Sequence, residues 1–155
     1  MHDTATQKND CSKKRIVYVL PKANYFNEGD RGRVTHALGV AEGFAENGWD
    51  VHMISGPGLH GYEGSLPDGV DLTEIHGGAR WPGRMKWLLN LIARFRGVVQ
   101  KDQVDAFLIR YAVSKYPVCW ILSLLARRKG VKTVLEVNSF AFHYSKMPRI
   151  VKCFS

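Results

Sequence analysis

The sequence predicts an α/β fold, a mainly parallel sheet between two helical layers, and three observations carry that prediction. Short β-branched runs alternate with longer stretches whose apolar residues fall at helical spacing. The strand-like runs number five, and glycines stand where the intervening helices should stop. A chain of 155 residues supplies one such domain and can bury its core without disulfides or metal.

The elements follow in order. Residues 15–20 (RIVYVL) form a buried-type strand closed by Pro21. Asn24, Asn27, Gly29, Asp30 and Gly32 make a loop, after which Val34, Leu38, Ala41, Phe44 and Ala45 mark one helical face and Gly48 its cap. Residues 50–55 (DVHMIS) are a second strand, stopped by Gly56, Pro57 and Gly58. A weaker third strand covers 70–75, and residues 82–101 carry Leu88, Leu91, Ile92, Phe95 and Val99 along one helical stripe. Residues 104–111 (VDAFLIRY) are a fourth strand, 118–129 a helix capped by Gly130, and 132–138 (KTVLEVN) a fifth strand. Strand and helix in alternation imply a parallel sheet with right-handed crossovers and helices on both faces.

Composition narrows the function classes. Cys11, Cys119 and Cys153 lie far apart, without the C-x-x-C spacing of a zinc or redox site, which points to a reducing, cytoplasmic compartment and no metal. Residues 1–14 are polar and lack the apolar core of a secretory signal, so they read as a disordered lead-in. The longest nearly apolar stretch, 117–126, is too short to span a bilayer and ends at Arg127, Arg128 and Lys129. A net charge of +8 favours anionic partners. No helix-turn-helix, zinc module or interleaved aromatic-basic pattern points to specific nucleic-acid binding.

Parallel sheets bind ligands outside the carboxyl ends of their strands. That selects Gly29, Gly32, Arg33 and His36 around the start of the first helix, Arg110 and Tyr111 at the end of strand four, and Glu136 and Asn138 at the end of strand five. The first loop could bring backbone N–H groups and the Arg33 guanidinium to an anion. Its glycines fit neither G-x-G-x-x-G nor a Walker loop, and an ordinary flexible turn explains them equally well. Arg110 and Glu136 each place a charge in an apolar strand, as a structural ion pair, as flanks of a polar ligand, or as both. His52 reads as a half-buried strand residue, and His60, His76 and His143 have no metal-ligand spacing. No Ser-His-Asp or Cys-His set can be assembled, so no catalytic residue is assigned.

GRVTHALGVAEGFAENGWDVHMIS (residues 32–55), VDAFLIRY (104–111) and GVKTVLEVNSF (130–140) together resemble family 4 glycosyltransferases over residues 15–140. Trp49 stands where the family's helix-to-strand turn usually has histidine. The resemblance implies the amino-terminal, acceptor-side Rossmann-like domain of a GT-B enzyme, a three-layer sandwich, with 141–155 a tail or the start of a continuation. It implies a retaining transfer, without metal or other cofactor, from a nucleotide-sugar donor to a glycan or lipid-linked acceptor in the complete enzyme. It places Gly32, Arg110, Tyr111, Glu136 and Asn138 along the cleft, with Asn138 where many relatives have histidine. The donor domain, with its E-x7-E region, would come from elsewhere, as a continuation or a partner chain, and this chain is expected to be inactive alone. The alternative reading is a non-catalytic nucleotide- or phosphate-binding module.

A peripheral contact with an anionic membrane is a further expectation. It rests on the apolar stripe of residues 83–101, the basic Lys86, Arg94, Arg96 and Lys101 around it, and Trp81 and Trp87 as interfacial aromatics. Packing of that same stripe on the sheet is the competing expectation.

Overall fold

A computed structural model describes residues 13–21, 31–59, 66–77, 80–101, 103–111 and 116–137. The elements run β1 (Arg15–Val19), α1 (Arg31–Glu46), β2 (Asp50–Ser55), β3 (Val70–Glu74), α2 (Gly83–Lys101), β4 (Ala106–Tyr111), α3 (Tyr116–Arg128) and β5 (Lys132–Val137). The strands form one five-stranded sheet in the order β3-β2-β1-β4-β5. Every pairing is parallel. This is the three-layer, Rossmann-like arrangement, with the strand order reversing direction at β1.

Alternation along β1 divides the core into its two faces. Ile16, Tyr18 and Leu20 join Val51, Met53 and Leu108 beneath Val34, Ala37 and Ala41 of α1. Val17 and Val19 join Ile54, Phe107 and Ile109 beneath Leu91, Phe95 and Val99 of α2 and Val118, Leu122 and Ala126 of α3. Within that second layer Phe95 stacks on Phe107 with ring centroids 4.6 Å apart. At the amino edge, Arg15 pairs with Asp50 at 2.5 Å, and its backbone N–H donates to Oδ2 of Asp105 at 2.8 Å.

Both predicted helix-stop glycines adopt the left-handed conformation, Gly48 at φ 80° and Gly130 at φ 74°. Element ends move by one to two residues from the sequence reading: β1 stops at Val19, β3 at Glu74, β4 begins at Ala106 and α3 at Tyr116. The larger correction concerns α2. Trp87, expected at an interface, is 2% exposed and belongs to the core, because its position continues the inward stripe of Leu91, Phe95 and Val99 one turn earlier. Leu88 and Ile92 flank that stripe and are only partly buried.

The two sheet edges differ. β3 presents Asp71, Thr73 and Glu74 between its apolar residues, whereas β5 leaves Val134, Leu135 and Val137 exposed. Charged or polar edges resist further strand addition, and apolar ones invite it.

Candidate functional site

The carboxyl ends of β1, β4 and β5 converge with the first turns of α1. Register places Tyr18 beside Leu108, Leu108 beside Val134, and Arg110 beside Glu136. Even-numbered residues of these three strands therefore share the face covered by α1. On that face the polar side chains gather around one carboxylate.

Glu136 holds the centre. The Tyr18 hydroxyl donates to its Oε2, and Nε2 of His36 donates to its Oε1 at 2.9 Å. Nε of Arg110 lies 3.7 Å from the same Oε1. Nη1 of Arg110 in turn donates to the carbonyl of Arg33 at 3.0 Å, fastening the first turn of α1 to the sheet. Tyr18 is fully buried, Glu136 and Arg110 are 14% and 13% exposed, and His36 is half exposed. The group thus runs from the core to the rim as one connected polar network. A buried carboxylate is tolerable in such a place because donors surround it.

Of the residues selected from sequence, Arg33, His36, Arg110 and Glu136 are brought together. Gly32 lies in the same first turn of α1, where an added Cβ would meet nothing within 4 Å. Tyr111 pairs in register with Val137 at the same edge. Gly29 and Asn138 lie outside the described residues, as do His60 and His143. The ion-pair reading of Arg110 and Glu136 holds in geometry. Tyr18 is the participant that sequence reasoning missed: within RIVYV it reads as one more core residue. The available signal was its hydroxyl, which needs a partner when buried.

His52 is structural, half buried on β2 with Nε2 3.2 Å from the Thr73 hydroxyl. The loop after β2 is tied to the same carboxyl edge, where the Gly58 N–H donates to Oε1 of Glu74 at 3.0 Å. A cavity between α1 and the segment before β3, lined by Thr35, Leu38, Glu42, Pro67 and Asp68, includes none of the residues of the Glu136 network. Among the described residues, no group of three or more His, Cys, Asp or Glu side chains could hold a metal ion. No described helix is long and apolar enough to cross a membrane.

A doubly wound parallel sheet with helices on both faces defines a Rossmann-like domain, and the charged network lies at the carboxyl ends of its strands. The chain belongs to the glycosyl transferase 4-like family, whose model matches residues 25–151. Solved structures share the fold at low identity. The glycotransferase of kitacinnamycin is 13% identical with a TM-score of 0.56, the match covering 92% of this chain and 34% of that one. MurG of Acinetobacter baumannii is 16% identical with a TM-score of 0.50, covering 80% and 35%. The C-terminal domain of a Pyrococcus furiosus hydrogenase is 12% identical with a TM-score of 0.56, covering 79% and 91%. The chain therefore spans about a third of the length of the kitacinnamycin glycotransferase and of MurG. No curated protein matches it.

Proposed function

We propose that the chain is the amino-terminal, acceptor-side domain of a retaining glycosyltransferase that moves a sugar from a nucleotide-sugar to a glycan or lipid-linked acceptor. The observation that carries this reading is the Glu136 network, set at the sheet's reversal point in a chain of the glycosyl transferase 4-like family. Arg33, His36 and Arg110, with the Gly32 turn, supply donors for acceptor hydroxyls or for a phosphate at the cleft wall. Glu136 orients them. Gly29, Tyr111 and Asn138 complete the proposed substrate-binding wall.

The donor nucleotide is held by a second domain, present as a continuation of the chain or as a partner chain, and the 155 residues alone do not turn over. The enzyme works in the cytoplasm, peripheral to the inner membrane face, in polysaccharide or glycolipid assembly.

The test is a transfer assay over a panel of nucleotide-sugars, run with the chain alone and with its donor domain supplied. Turnover is expected only in the second case, with Arg110→Ala lowering it at least tenfold. Turnover by the chain alone overturns the half-enzyme reading. Tight nucleotide binding by the chain alone, with no turnover when the donor domain is present, favours the non-catalytic binding module.

A further inference from the structure

The buried stripe of α2 leaves a second, outward set of apolar residues. Trp81 is 75% exposed, Leu89 61% and Met85 37%. Met85 and Leu89 lie one turn apart on the same side of α2, and Trp81 stands in the turn just before the helix, so the three give an exposed apolar ridge from that turn into the second turn of α2. Arg80, Arg84 and Lys86 are exposed among them, and Arg94 and Arg96 follow along the helix. From Ile75 through Lys101 the chain contains no Asp or Glu. A solvated helix face ordinarily mixes both signs of charge, which this one does not, and the turn before it leaves a tryptophan in water.

We infer that the Trp81–Met85–Leu89 ridge with its flanking Arg80, Arg84 and Lys86 is a docking surface for an anionic lipid bilayer. An indole, a thioether and a leucine suit the boundary between headgroups and acyl chains, and the cations around them pair with lipid phosphates. Charge complementarity selects this occupant, since the ridge offers an acidic surface six like charges along 75–101 and no repulsion. The ridge follows the carboxyl end of β3, the edge strand opposite β5 and Glu136, on the sheet face that α2 covers. The inference deepens the membrane-side location proposed above by naming the residues that make the contact. It replaces the buried stripe as the basis for that contact.

Vesicle co-sedimentation of the purified chain tests it without reference to turnover, so its outcome is separate from that of the transferase reading. Phosphatidylcholine vesicles with and without phosphatidylglycerol are compared at low and high salt. Binding is expected only to the anionic vesicles, weakening as salt rises. Neutralising Arg84→Gln and Lys86→Gln should weaken it roughly fivefold per cation. Trp81→Ser with Leu89→Ser should weaken it by a further factor of about ten, while Trp120→Ser, removing another exposed indole, on α3, leaves it unchanged. Both serine variants alter exposed positions, and unchanged thermal unfolding verifies their fold. No binding to anionic vesicles overturns the proposal. So does binding that survives loss of Trp81 and Leu89 intact, or a ridge that binds a short RNA and ignores vesicles.

Discussion

The Tyr18 hydroxyl on β1 donates to Glu136 on β5, reaching diagonally across the intervening strand above Leu108. A contact between residues 118 positions apart joins the centre of the sheet to its edge. Tyr18→Phe keeps the buried ring and removes only the donor, so it should lower stability by about 1 kcal/mol in urea unfolding. Tyr18→Ala should cost about 3–5 kcal/mol, because it also empties the space under α1.

Glu136→Ala withdraws the acceptor from a network that is mostly sheltered from water. We expect a loss of about 1–3 kcal/mol, measured by the same denaturation, with Glu136→Gln milder because an amide oxygen remains. His36→Ala should change stability by less than about 0.5 kcal/mol, since the ring is half exposed. That contrast makes His36 the cleaner position for testing ligand contact.

Two glycines should respond differently. A Cβ at Gly77 would lie 2.4 Å from Cβ of the buried Trp87 and 3.1 Å from its Cα, so Gly77→Ala should destabilise by about 1–3 kcal/mol. Gly32 faces open space within α1, and Gly32→Ala should be neutral or stabilising by up to about 1 kcal/mol. Calorimetry should show a lowered Tm for Gly77→Ala and an unchanged or raised Tm for Gly32→Ala.

Gly48 and Gly130 end α1 and α3 with positive φ. Alanine at either should cost about 1 kcal/mol, and the double variant should show the sum, because the two turns follow different helices on different faces of the sheet. A double variant that falls well short of additivity would show that the two caps are coupled.

The alternation of strands and helices was legible because each element carries its own period and its own stop. Gly48 and Gly130 announce helix ends locally, and the β-branched runs of β1 and β4 announce buried strands. The inward direction of Trp87 was lost to its chemistry: tryptophan suits an interface as well as a core, and only its phase with Leu91 and Phe95 decides. Arg110 and Glu136 stood out as charges in apolar strands. Tyr18 did not, since its role depends on Glu136, 118 positions away on a strand that β1 does not pair with, and register is invisible in a single sequence. The exposure of β5 was hidden for the same reason. VLEV reads alike whether the strand is central or at an edge.

The strand order also sets a timetable for synthesis. β1 is made first yet ends in the middle of the sheet, and Arg15 meets Asp105, the residue just before β4, across 90 positions of chain. At common translation speeds the nascent amino-terminal strand waits roughly 5–18 s for that neighbour. Meanwhile β1, α1, β2 and β3 can assemble on their own contacts, but Val17 and Val19 have no α2 or α3 above them until the later segments emerge. The ribosome-bound half-sheet is thus apolar on one face for seconds, long enough for a chaperone to engage it before β4 arrives.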